Sequence, residues 1–325
     1  MNKAAAVEKK RRMPAEGVRF RKALHRHVNK RAARSAVGML FRLAFVVCIC
    51  FIILKPLLAK IAMSFMQPTD LYDRTVKLIP KNFTFANYVD AVQIMDYLSV
   101  LGSTVFLCTL VALLQTVACT LIGYGFARFP FKGKGLLFLC VIVMMVIPTQ
   151  IVVTPQFLNF KSCGLVGSIW PFVLLAVTGS APRCGLYIFL TRQFFRGIPK
   201  EIDEAAAIDG AGPYRTFALI MVRSCFPIMV AVFLFSFVWQ WGESNYTTLF
   251  DSSRRLLSSS LLQLGYSIGA GQSVGGTFVS AADINAYRSV IYAASTMLVI
   301  APLLLLYVFL QRYFIQSIEQ TGIVG

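Results

Sequence analysis

Six long apolar runs, at roughly residues 37 to 63, 99 to 127, 135 to 157, 167 to 190, 218 to 241 and 286 to 311, leave this chain very few possible folds. Each is long enough to cross a bilayer as a helix, which takes about 20 predominantly apolar residues. A closed β-barrel is the only other structure that satisfies its backbone in lipid, and it needs short alternating segments of about ten residues. These runs are continuous, which excludes the barrel. Of the 325 residues, 57% are hydrophobic and 14% charged, against roughly a quarter charged in soluble domains. The expectation is an all-α polytopic membrane protein with six transmembrane helices.

Charge then orients the spans. Residues 1–36 carry twelve Lys or Arg against Glu8 and Glu16, and so hold most of the formal +18. A basic arm beside a first span follows the positive-inside rule and suits anionic lipid headgroups; nucleic acid is not needed to explain it. It is far too long for the basic start of a signal peptide, and five more spans follow. The arm is expected in the cytoplasm, with the six-span unit occupying residues 37–325. The joints after spans two and four and the C-terminal tail then lie inside, and they carry Arg128, Lys132 and Lys134, then Arg192, Arg196 and Lys200, then Arg312. The outer loops, 64–98, 158–166 and 242–285, have no large positive excess.

The inner loop at 191–217 contains KEIDEAAAIDGAG, acidic and alanine-rich in a chain that is otherwise basic and apolar. Pro199 suits a first helical position, Glu201, Asp203 and Glu204 place negative charge against the positive end of the helix dipole, and the alanines propagate the helix. A helix is predicted over 199–208, ended by Gly210 and Gly212 in left-handed conformations, with Pro213 starting the next. Ile198, Ile202, Ala205 and Ala206 fall near one slim apolar face. Two readings fit: a well-capped surface loop, or a small knob made to enter a groove on another protein.

These residues resemble a known family. Glu204-Ala205-Ala206, followed by Gly210 and then Ile220, is similar to the "EAA" cytoplasmic loop of ABC importer permeases. Further stretches, YGFARFPFKGKG (124–135), VMMVIPTQIVVTPQF (143–157), FLTRQFFRGIPKEIDEAAAIDGAG (189–212) and LQRYFIQ (310–316), resemble carbohydrate-type permeases. IPKNFTFANY (79–88) before span two looks like the smaller partner of the maltose-type pair.

The resemblance implies a type I importer permease fold and translocation of a sugar or oligosaccharide into the cytoplasm by alternating access. It also implies a homologous second permease, a cytoplasmic ATPase dimer that binds the ATP and Mg, and an extracellular solute-binding protein. The localisation implied is the bacterial plasma membrane, with both termini cytoplasmic. Glu201, Glu204, Ala205, Ala206, Asp209, Gly210 and Gly212 would form the ATPase-coupling loop. The sequence departs from the family at Val222-Arg223, where Leu-Pro is usual, and Pro227 comes four residues later. Import of another solute, such as glycerol phosphate or a polyamine, a non-transporting membrane scaffold and an ion-coupled transporter remain alternatives.

Other features are simpler. No GxxxxGK[ST] loop is present: Gly133-Lys134 runs into Gly135, and GAGQSVGG at 269–276 does not fit, so ATP hydrolysis is expected on a separate subunit. The glycine-rich segment reads as a flexible external loop or a plain linker. The eight cysteines form no CxxC pair, and His25 and His27, the only histidines, lie in the basic arm, so no metal, cofactor or catalytic site is expected in this chain. Arg183, inside the fourth apolar run after Pro182, either lines a translocation path or snorkels. Trp239 and Gln240 offer ring and amide chemistry suited to a sugar, or simple interfacial anchoring. Gln115 suits a helix-to-helix hydrogen bond.

Overall fold

The computed structural model describes residues 15–73, 76, 78–268 and 281–322, and its chain divides into two units, Met1–Ala59 and Lys60–Gly325. Helix α1 (Ala15–Ser64) carries the described part of the basic arm directly into the first apolar run without a break. Residues 1–14 and the glycine-rich stretch at 269–280 lie outside the described residues, as do the side chains of His25 and His27.

The second unit is helical throughout its described residues, apart from loops and one isolated bridge, Met66 with Phe83. After a 3-10 turn at Pro68–Tyr72 come α2 (Ala86–Met95), α3 (Tyr97–Arg128), α4 (Lys134–Val146), α5 (Thr149–Ser162), α6 (Trp170–Val177) and α7 (Cys184–Gly197). They are followed by α8 (Glu201–Ile208), α9 (Pro213–Ser224), α10 (Phe226–Gly242), α11 (Asn245–Phe250), α12 (Leu257–Ser267) and α13 (Ala281–Gly322).

The polytopic all-α expectation stands, but six uninterrupted spans do not. Among the described residues three stretches are long and apolar enough to cross as single helices: Gly38–Ser64, Tyr97–Arg128 and Asp283–Gln311. The third run is the pair α4 and α5, bent by 106° at Ile147-Pro148, and the fifth is the pair α9 and α10, bent by 75° at Cys225. The fourth run is cut into α6, of 8 residues, and α7, of 14, by a turn over 178–183. In that turn Gly179 and Arg183 both have positive φ, +68° and +69°. Hydropathy sums apolar residues and is blind to the backbone, whereas prolines and left-handed residues stop a helix wherever they fall.

Helix α3 is the axle of the second unit, packed between α7 and α10. Small residues permit the closest approaches, as is usual between helices in lipid. A Cβ added at Gly123 would lie 2.1 Å from Thr191 Oγ1 and 2.9 Å from the Arg192 amide nitrogen, and one at Gly185 would lie 2.9 Å from the Val141 carbonyl oxygen. Ser236 donates a hydrogen bond to Gln115 Oε1, so the buried amide joins α3 to α10 as expected. In α13, Pro302 cannot donate to the carbonyl four residues back. Tyr97 Oη donates to that Leu298 oxygen at 3.0 Å, and Trp241 Nε1 donates to the neighbouring Val299 oxygen at 3.1 Å. Neighbouring helices thus satisfy the carbonyls that a proline frees inside an apolar segment.

Candidate coupling loop and translocation cavity

The loop at 191–217 is held to the bundle by a dedicated core. Tyr124, Phe195, Met221, Cys225, Ile228 and Ala231 form a buried cluster where α3, α7, α9 and α10 meet, and Ile198 and Phe217 pack against it. Tyr124 is its centre, with ring centroids 5.2 Å from Phe195 and 4.8 Å from Phe217. The loop therefore leaves and re-enters the unit through rigid packing.

Helix α8 starts at Glu201, two residues later than predicted. The Lys200 carbonyl accepts the amides of Asp203 and Glu204, and Pro199 precedes the cap. Its C-terminus is a Schellman motif: Ala211 N–H donates to Ala206 O at 2.9 Å, Gly210 N–H donates to Ala207 O at 3.1 Å, and Gly210 has φ +78°. Gly212 does not take the predicted left-handed role. Its backbone is extended, φ −70° and ψ 166°, and it caps the helix that Pro213 begins. One glycine ends the first helix and the other starts the second.

The predicted apolar face is split. Ala206 is buried at 3% exposure, whereas Ile202 and Ala205 face outward, with Ile208 at 86% and Tyr214 at 92%. Glu201, Glu204 and Asp209 are also exposed, giving α8 an outer surface of small and branched apolar groups edged by carboxylates. A Cβ at Gly210 would meet nothing within 4 Å among the described residues.

The inner side of α8 is pinned by a residue that the sequence pattern did not single out for this role. Arg128, at the end of α3, donates from Nη2 to the Ile198 carbonyl at 2.9 Å, and its Nε lies 3.0 Å from an Asp203 carboxylate oxygen. Its side chain is 9% exposed and that of Asp203 is 28%. Charge bias had marked Arg128 only as an orientation signal; its place at a helix end opposite an acidic loop was the available clue. Beyond the loop, Phe217–Met221 forms a π-helical turn, with Val222 N–H donating to Phe217 O, before the bend at Cys225. Pro227 enters the first turn of α10 just past that bend, so the proline missing at Arg223 acts at the second break instead.

Arg183 and Trp239 come together although 56 positions separate them: the guanidinium carbon lies 3.9 Å from the indole ring centre. They line a cavity of about 1050 Å³ that also takes in the bend between α4 and α5 at Met144–Gln150, Glu243 and the start of α11. Glu243 Oε1 accepts the amides of Asn245 at 2.7 Å and Tyr246 at 3.3 Å. The Tyr246 phenol donates to Gln156 Oε1 at 3.1 Å; burial first and the Glu243 carboxylate second push its pKa up to about 12, which keeps it a neutral donor. Gln240 does not join this site: it is not among the lining residues, and its buried Nε2 has no hydrogen-bond partner. Among the described residues no three His, Cys, Asp or Glu side chains gather as a metal site.

Bent apolar helices around a cavity, with a firmly mounted helix in a loop between apolar segments, describe a polytopic membrane component. The chain belongs to the family of binding-protein-dependent transport system inner membrane components, whose profile it matches over residues 119–320. It is 28% identical to the arabinooligosaccharides transport system permease protein AraQ of Halalkalibacterium halodurans, over 85% of this chain and 93% of that one. It is 27% identical to the maltodextrin transport system permease protein MdxG of Bacillus subtilis, over 70% of this chain and 76% of that one. In fold it is similar to a bacterial ABC transporter involved in import of the acidic polysaccharide alginate, with TM-score 0.69, 17% identity, and coverage of 86% of this chain and 96% of that chain.

Proposed function

We propose that this permease subunit moves a sugar or oligosaccharide inward across a bacterial plasma membrane by alternating access. A separate ATPase pair, holding ATP and Mg, would drive it through the loop at 201–212. The observation that carries this reading is the mounting of α8: buried through Ala206, pinned by Arg128, and exposed through Ile202, Ala205 and Ile208. A helix of 8 residues is marginal alone, so one fixed this firmly while presenting apolar side chains is suited to receive a push from a partner. Glu201, Glu204 and Asp209 edge the contact, and Gly210 turns the chain where a Cβ would face the partner.

The sugar assignment is supported by the relatives, named as permeases for arabinooligosaccharides and maltodextrin. The remaining partners are a homologous second permease, which closes the pathway from the other side, and an external solute-binding protein that delivers the cargo. Both termini and the 191–217 loop lie in the cytoplasm in this reading, and residues 1–36 form a basic arm against anionic lipid. Mechanistically, the chain itself breaks no bond: two arrangements of its helices differ in how the ATPase pair grips the loop, and that difference in binding free energy drives the change.

The test is purification of the tagged chain from its own membrane in mild detergent, mass spectrometry of what accompanies it, and uptake by vesicles containing the recovered complex. A second multi-span subunit, an ATPase and uptake that stops on ATP depletion are expected. Uptake that survives ATP depletion but collapses with the ion gradient would overturn the reading, as would a complex that carries out no uptake at all.

A further inference from the structure

We propose, building on the sugar-permease reading, that the cavity at Arg183 and Trp239 is a subsite for the carboxylate of an acidic sugar. At about 1050 Å³ the cavity is at the upper end of ordinary ligand pockets. Its walls divide the work: the apolar side chains of Val153, Leu186 and Leu249 suit the apolar side of a pyranose ring, while Gln150, Asn245 and Thr248 offer amide and hydroxyl groups to the sugar hydroxyls.

The charge in this cavity is not used up within the chain. A cation in an apolar run is costly and is ordinarily paired, yet among the described residues no carboxylate lies within 4.0 Å of Arg183. Glu243, the one acidic residue in the lining, is engaged by the amides of Asn245 and Tyr246. The indole contact, 3.9 Å from the guanidinium carbon, takes up one side of the group. Its N–H donors lie in the plane and point outward from the edge, where a carboxylate is received in bidentate fashion. The geometry therefore leaves free the part of Arg183 that recognises an acid.

Two further features reinforce the sign. Helices α5 and α7, each of 14 residues, both begin at this cavity, α5 with Thr149 and Gln150 in the wall and α7 directly after Arg183. Their positive dipole ends favour an anion, the arrangement that broken helices provide for anionic substrate groups in other transporters. The end of α4 contributes the opposite pole, but its last carbonyls, near Met145 and Val146, are natural acceptors for sugar hydroxyls. Arg183 is also one of only two non-glycine residues with positive φ among the described residues. That conformation costs about 1–2 kcal/mol for a residue with a Cβ, and such strain persists where a position is held for a purpose.

The experiment compares a host strain lacking the chain with strains restored by the native chain, by Arg183→Gln or by Arg183→Lys. Growth and uptake are measured on oligogalacturonate and on its neutral counterpart, a galactan oligosaccharide, with membrane abundance followed by immunoblot. The expected result is that oligogalacturonate uptake depends on the chain, that Arg183→Gln raises its half-saturation concentration at least tenfold and by several times more than that of the neutral saccharide, and that Arg183→Lys falls between. If the chain supports neutral-sugar uptake and Arg183→Gln matches native on both probes, the acidic subsite is overturned while the sugar-permease reading stands. If removing the chain leaves oligogalacturonate uptake unchanged, the acidic subsite falls, and the sugar-permease reading falls with it only if the purified complex also carries out no ATP-driven uptake. Should Arg183→Gln be absent from the membrane, Arg183→Lys decides alone: unchanged oligogalacturonate affinity refutes the bidentate contact.

Discussion

Replacing Arg128 by Ala should loosen α8 without unfolding the bundle. The change removes a charge-assisted hydrogen bond to the Ile198 carbonyl and an ion pair at 3.0 Å with Asp203. A hydrogen bond from a charged group contributes roughly 1.5–3 kcal/mol when buried, and an ion pair with one partner partly exposed about 0.2–1 kcal/mol. Discounting for the solvent that reaches Asp203, the docked loop loses about 2 kcal/mol, roughly a 30-fold shift in its opening equilibrium. The natural assay is amide hydrogen exchange on the purified full chain, because exchange of locally opened segments tracks that equilibrium. The amides of Asp203, Glu204, Asp209, Gly210 and Ala211, all bonded within the loop, should exchange roughly 10- to 100-fold faster, while those in the middle of α3 stay unchanged. Arg128→Lys should recover only part of the protection, since an ammonium does not reproduce the guanidinium fork. A change below about threefold would refute the pinning role. So would a cycle in which Arg128→Ala and Asp203→Ala add independently, because contacting residues couple by about 0.5 kcal/mol or more.

Other outcomes follow from the same structure. Gly210→Leu should reach the membrane at native levels but lose most ATP-driven uptake, and Gly210→Asn should retain more than Gly210→Ala, because φ +78° favours residues that tolerate the left-handed region; uptake equal to native in all three would contradict it. Gly123→Ala drives a Cβ into Thr191 and the Arg192 backbone, so it should destabilise the bundle by about 1–3 kcal/mol, read as a lowered unfolding midpoint in detergent. Asp251 is buried; that burial, which alone would raise its pKa, is outweighed by the hydrogen bonds and charge of Ser253 and Arg254, which hold its carboxyl below the usual carboxylate range. A depressed carboxylate stabilises above its unfolded pKa and ceases to do so as pH falls through the folded value. Protection of the 251–260 amides should therefore hold at pH 5 and above and decline below about pH 4 in the native chain, and be lost across that whole range in Asp251→Asn.

Local rules carried the loop a long way. Pro213 at the start of a helix, acidic residues in the first turn of α8 and Gly210 at its end all act through the backbone within a few residues, and all were legible. Gly212 was misread because two glycines two positions apart both admit a left-handed turn, and only the hydrogen bonds to Ala206 and Ala207 choose between them. The outward position of Ile202 and Ala205 depends on where α3 passes, which no local pattern records. The fourth apolar run reads as one span because each of its side chains is apolar enough; the turn at 178–183 emerges from Gly179, Pro182 and packing against α3. Trp239 and Gln240, neighbours in sequence, diverge by about 100° around a helix, so only one of them faces the cavity. That Trp239 should lie under Arg183 is a long-range fact of the fold.

The π-helical turn at Phe217–Met221 sets the angular phase of everything that precedes it. Such a turn holds one residue more than an α-turn, equivalent to an insertion that has not been smoothed away. Closing the same residues into a regular α-helix, with none removed, would rotate the exposed side of α8 by about 100° about the axis of α9, leaving its sequence and its caps untouched. The docking face would keep its chemistry and point elsewhere: the aim of this lever rests on one residue carried in a wide turn, and whatever closes that turn moves it.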